Sequence, residues 1–150
     1  MIRRKVLRKD LAKAPYLLWN AYVELLALGP YEKLSSIQRA PHLCFWYDSE
    51  IQNGGHLQYF ANGWLKYLDT TLAALTLLEG DAYAQILKAA SSKYLIKNRE
   101  PIGTVENYVA TALQGELDTA DKAFYRTRPT INDLLERYLE KHKSEFIELG

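Results

Sequence analysis

The polar residues with the most chemical potential fall in one short run, Glu50-Ile51-Gln52-Asn53-Gly54-Gly55-His56-Leu57-Gln58-Tyr59-Phe60-Ala61-Asn62. Adjacent glycines permit a left-handed or unusually close backbone at an entropic cost, so they mark a break between two helical stretches. If helix resumes after Gly55, Gln58 and Asn62 share a face four residues apart, with Glu50 and Asn53 just before the bend. Four hydrogen-bonding groups then converge at a junction flanked by Tyr59, Phe60 and Trp64. Such amides ordinarily satisfy backbone groups exposed at a break. Convergent polar groups beside aromatic rings also describe a recognition pocket or ligand cleft. In an enzyme built on that cleft, His56 or Glu50 would act as acid or base.

Other catalytic arrangements fail on spacing. His42, His56 and His142 are far apart, with no cysteine pair and no His-x-x-x-His, so no metal site is expected. His42 and Cys44 are two residues apart and point to different helix faces, which argues against a Cys–His nucleophile. There is no Glu-x-x-His pair for a di-iron centre. Glu136 and Glu140 read as a solvated helix face, and Asp118 with Asp121 as a helix start. Gly54-Gly55 lacks the preceding strand and third glycine of a dinucleotide fingerprint, and no phosphate loop is present. The chain reads as a non-enzyme without cofactor.

The densest charge is N-terminal: Arg3, Arg4, Lys5, Arg8, Lys9 and Lys13. These cations are candidate anion contacts, for phosphate or an acidic protein surface; a solvated, frayed terminus is the plainer reading. No aromatic residue interleaves with them before Tyr16, so base stacking has no support. Over the whole chain, 19 Lys and Arg oppose 18 Asp and Glu, a formal net charge of +1. That balance excludes a strongly basic nucleic-acid binder and a whole-surface anion field. The single cysteine cannot form an intrachain disulfide. No signal-peptide pattern and no membrane-spanning apolar run are evident, so a cytoplasmic location is expected.

The elements that must position these groups are helical. With 48% hydrophobic residues, a 150-residue chain can bury a real core. Apolar spacing predicts a helix from Pro15 to Leu28, ended by Gly29-Pro30, and a second starting at Pro41. Glu50 falls within the buried stripe of that second helix, an awkward place for a carboxylate. After Gly63 a helix runs through Trp64, Leu68, Leu72 and Leu75 to Gly80, and Asp81 caps the next. The stretch 97–103 reads as a loop, and Thr104 caps a helix carrying Val105, Tyr108, Val109, Ala112 and Leu113. Asp118 opens a short helix reaching Phe124 and Tyr125, and Thr130 caps a long last one. No hairpin signal supports strands. The expectation is an all-α, compact, single-domain array of about six to eight helices, with residues 1–14 a basic arm or helix extension and 15–150 the helical domain. Eleven tyrosines suit half-buried core edges or an interface, with Tyr31, Tyr59, Tyr67, Tyr94 and Tyr125 the candidates for a partner surface.

Glu50-Ile51-Gln52-Asn53-Gly54-Gly55, followed by Gln58-Tyr59-Phe60 and Asn62, resembles the signature of an uncharacterised bacterial family named for the C-terminal domain of a DNA-mimic protein. Asp121-Lys122-Ala123-Phe124-Tyr125 resembles a second element of that family, and the likeness spans about residues 15 to 142. The departures are His56, where the family prefers an aromatic ring, and Gly63 directly after Asn62. The resemblance implies an all-helical fold, a homodimer and a protein-binding regulatory role. DNA mimicry is not carried over, because it needs a dense carboxylate array and this chain is near neutral. The expected function is therefore a bacterial interaction module that binds another protein. A ligand-binding or enzymatic Glu50–Asn62 cleft and nucleic-acid binding through the N-terminal cations are the alternatives.

Overall fold

The computed structural model describes residues 2–96, 104–107 and 115–150. It is an all-α array, with β1 (Arg4–Val6), α1 (Arg8–Lys13) and α2 (Leu17–Leu28) leading to a 3₁₀ turn at Tyr31–Lys33. Then come α3 (Ser36–Ala61), a second 3₁₀ turn (Trp64–Tyr67), α4 (Leu68–Leu77) and α5 (Asp81–Ile96). The chain closes with α6 (Asp118–Arg126), α7 (Ile131–Phe146) and β2 (Ile147–Leu149). The expected loop at 97–103 lies outside the described residues, as do Tyr108, Val109, Ala112 and Leu113. The expected cap before them is present, because the Asn107 N–H donates to Thr104 Oγ1 at 3.1 Å.

The central element is α3, which touches α2, α4, α6 and α7. It begins five residues before the expected Pro41. Ser35 and Gln38 form a capping box, with Gln38 N–H to Ser35 Oγ at 3.2 Å and Ser35 N–H to Gln38 Oε1 at 3.0 Å. Pro41 is therefore interior, where its missing N–H leaves the carbonyl four residues back, Ile37, without a helical donor. The Tyr138 hydroxyl of α7 supplies that donor at 2.9 Å. A tertiary contact thus repairs a local defect, which is why the proline does not end the helix. Tyr22, Leu25, Leu43, Cys44, Tyr47, Ile51, Leu75, Leu87, Leu134 and Phe146 form the buried centre of the array.

The N-terminus is not a frayed arm. β1 pairs in parallel with β2, Arg4 opposite Ile147 and Val6 opposite Leu149, joining the two ends of the chain. The buried Gln38 Nε2 clamps this junction, donating to the carbonyls of Ile2 and Glu145. Parallel strands this distant in sequence carry no hairpin signal, so sequence patterning could not anticipate them. Asp81, expected as a cap, is instead the first residue within α5. The last helix starts as expected, with Thr130 and Asp133 forming a capping box.

Candidate functional site

The two glycines divide α3 as anticipated. Gly54 (φ −157°, ψ 16°) and Gly55 (φ 74°, ψ −174°) leave the helical region, and helix resumes at once. A side chain at Gly55 would be strained by its positive φ, and its Cβ would lie 2.5 Å from Asp121 Oδ2. The break therefore exists where α6 presses a carboxylate against the backbone.

Two polar clusters grow from this break, on opposite sides. The first gathers the four groups singled out in the sequence. Gln58 Nε2 and Asn62 Nδ2 both donate to Glu50 Oε2, at 2.9 and 2.8 Å, and Asn53 Nδ2 donates to Gln58 Oε1 at 3.3 Å. Glu50 and Gln58 are half-buried, while Asn53 and Asn62 are exposed. The carboxylate that looked misplaced in an apolar stripe is thus the acceptor at the centre of a surface node. Asn62 ends α3, and Gly63 follows in the left-handed conformation (φ 86°) that terminates helices.

The second cluster is buried and contains His56, which is fully inaccessible. Its backbone N–H and its Nδ1 both meet Asp121 Oδ1, at 2.9 and 2.7 Å, and its Nε2 lies 2.7 Å from the Tyr47 hydroxyl. The Asp121 carboxylate can only accept, so Nδ1–H donates to it, while Nε2 and the Tyr47 hydroxyl share the second bond; burial pushes that phenol well above its ordinary range, so it keeps its proton. The imidazole also packs among rings, edge-on to Tyr47 and Phe124. That is why a histidine can occupy a position suited to an aromatic. With both nitrogens engaged and no surface, His56 does not reach the open cleft as an acid or base. Tyr125, one helical turn beyond Asp121 on α6, donates from its hydroxyl to the Ile51 carbonyl at 3.0 Å, covering a group freed by the break. The Asp121–Tyr125 segment and the double glycine are therefore two halves of one joint.

Beside the surface node lies an open cleft of about 430 Å³, lined by Tyr31, His42, Glu50, Asn62, Gly63, Trp64, Lys66 and Tyr67. Trp64 stacks on buried Tyr59 (6.1 Å, 11°), and Tyr31 and Tyr67 rings lie 5.0 Å apart. Of the tyrosines expected at a surface, Tyr31 and Tyr67 line this cleft and Tyr125 is exposed, but Tyr59 is wholly buried. Sequence reading missed His42 as part of this site, because its neighbours there come from the two 3₁₀ turns. Cys44 is buried, and burial raises its thiol far above the usual range, so it is not a nucleophile.

The basic N-terminal residues do not form one free patch. Arg3 pairs with Glu148 at 3.7 Å and Arg4 with Glu24 at 3.5 Å, while Lys5, Arg8, Lys9 and Lys13 are exposed. Among the described residues, no group of three or more His, Cys, Asp or Glu is placed to hold a metal ion. Among them, too, no helix is long and apolar enough to cross a membrane.

A family model described as DMP19-like protein matches residues 32–142. The matched span contains both polar clusters, the cleft residues from His42 to Tyr67 and the whole of α6, and starts later than the expected residue 15. No curated protein and no solved structure matches the chain.

Proposed function

From the premise that the chain belongs to the DMP19-like protein family, we propose that it is a cytoplasmic interaction module that acts by binding another protein. The observation that carries this reading is the division of labour at the helix break. The Asp121–His56–Tyr47 cluster fixes the joint, while the Glu50–Asn53–Gln58–Asn62 node displays a polar patch interlocked through Glu50 Oε2 and Gln58 Oε1 at the surface. A patch held by its own hydrogen bonds loses little side-chain freedom when a partner covers it, which favours recognition. Aromatic rings beside it offer the apolar area that interface centres use.

DNA-binding proteins are the partner class that a DNA-mimic family name suggests. The near-neutral charge favours a local contact over a chain-wide imitation of phosphates. The test is capture of a partner on tagged wild-type protein and on the Gln58→Ala/Asn62→Ala variant, with rebinding of the purified partner. A partner bound by wild type and lost by a still-folded variant supports the module. Equal binding by both would remove the node from the contact, and failure to recover any partner would overturn the reading.

A further inference from the structure

We propose that the cleft beside the node is a guanidinium site, which receives an arginine side chain from the surface of the partner. The inference rests on the interaction-module reading and adds the chemistry of its contact. Two acceptors line the cleft without a protein donor among the described residues. Gln58 and Asn62 both use Glu50 Oε2, so Oε1 is unclaimed and is not among the buried unpartnered atoms. His42 is only 6% exposed, and its Nδ1 lies 2.8 Å from the Leu26 carbonyl. A carbonyl can only accept, so Nδ1 carries the hydrogen and Nε2 is left as a lone-pair acceptor in the neutral ring. No donor among the described residues meets Nε2, and the ring lines the cleft. Like Oε1, Nε2 is not among the buried unpartnered atoms, so this acceptor on a deeply buried side chain opens on the cleft, where an incoming donor can meet it.

The walls agree with a planar cation. The rings of the cleft already attract cations of the chain itself, with the Arg39 guanidinium 4.6 Å over Tyr31 and the Lys66 ammonium over Tyr67. A guanidinium carries five N–H donors in a rigid fork, so it can reach a carboxylate oxygen and an imidazole nitrogen together. Among the residues that line the cleft Lys66 is the one cation, and its ammonium rests over the Tyr67 ring at 5.1 Å. It occupies part of the same wall, so it competes with the guest instead of recruiting it. This gives the site a signature that an anion pocket would invert.

The experiment is an NMR titration of the full chain with N-acetyl-arginine amide, read at the Trp64 indole N–H and the His42 ring. N-acetyl-citrulline amide serves as the uncharged isostere, and acetate as the anion. The arginine amide should shift both signals saturably, and the citrulline amide and acetate should not. Glu50→Gln keeps an acceptor for Gln58 and Asn62 but removes the charge, and should weaken binding about tenfold or more. Lys66→Ala, at an exposed position that leaves the fold alone, should tighten it. Absence of saturable shifts, equal binding of citrulline amide, or acetate binding that Lys66→Ala weakens would each overturn the site. A partner held equally by wild type, Glu50→Gln and Lys66→Ala would also overturn it while leaving the interaction module standing. Arginine amide binding with the stated pattern, but no partner recovered, would do the reverse.

Discussion

Gly55 and Asp121 depend on each other. Gly55 adopts a conformation open essentially to glycine alone, and Asp121 occupies the space a β-carbon would take. Gly55→Ala should therefore cost about 3–5 kcal/mol, combining backbone strain with a steric clash, as read by urea unfolding. Asp121→Ala leaves the His56 N–H and Nδ1–H without their acceptor, each worth about 1–3 kcal/mol when buried. Asp121→Asn retains an acceptor oxygen and should lose less, an ordering that a merely steric role would not produce. His42 makes stability depend on pH. Burial lowers its pKa from 6.5, an effect only partly opposed by the hydrogen bond to Leu26. The folded state then binds fewer protons than the unfolded one below about pH 6.5, so stability falls as pH drops through that range. His42→Asn should flatten that slope in unfolding midpoints measured from neutral to mildly acidic pH. Asp48 works in the opposite sense, since burial raises its carboxyl and its contribution is lost as pH rises.

At the scale of elements, α3 persists through a proline and a double glycine because its neighbours supply what those residues remove. Tyr138 of α7 repairs the carbonyl freed by Pro41, and Tyr125 of α6 covers Ile51 at the break. Tyr138 is 7% exposed, and Tyr138→Phe removes the donor from the part-buried Ile37 carbonyl and should destabilise by about 1 kcal/mol in chemical unfolding. Tyr125 is about half exposed, so water can replace its hydroxyl, and Tyr125→Phe should cost less than about 1 kcal/mol. Comparison of the two variants shows how far water replaces each hydroxyl. The double glycine and the Thr130 cap are legible as punctuation, but the Ser35–Gln38 box is passed over because a proline read alone points to a helix start, which is where the sequence-based boundary went astray.

For the whole molecule, the pairing of β1 with β2 makes the N-terminus structural. Removing residues 1–7 discards buried Val6 and the strand ladder, and opens the Gln38 clamp. The loss of Val6 burial alone is on the order of 2 kcal/mol, so this deletion should lower the unfolding midpoint measurably. Deletion is consequently a poor test of nucleic-acid binding. Replacing exposed Lys5, Arg8, Lys9 and Lys13 by alanine spares the strand and should leave any binding to duplex DNA unchanged in its salt dependence if those cations are only solvated. Light scattering decides the oligomeric state, since a monomer has a mass of 17.2 kDa and a homodimer twice that.

The sequence by itself determined the helical class, the joint at Gly54-Gly55 and the convergence of Glu50, Asn53, Gln58 and Asn62. These follow from local rules: apolar periodicity, the conformational freedom of glycine and the four-residue repeat of a helix face. Only the tertiary structure decided which side of the joint faces water. Sequence position could not tell that His56 points inward to Asp121, sixty-five residues away, while His42 lines an open cleft with a vacant acceptor. Nor could it show that Arg4–Val6 of the basic terminus form a strand, because their partner lies at the other end of the chain. Local propensity is written in neighbouring residues, whereas burial and long-range pairing are set by how the helices pack around α3.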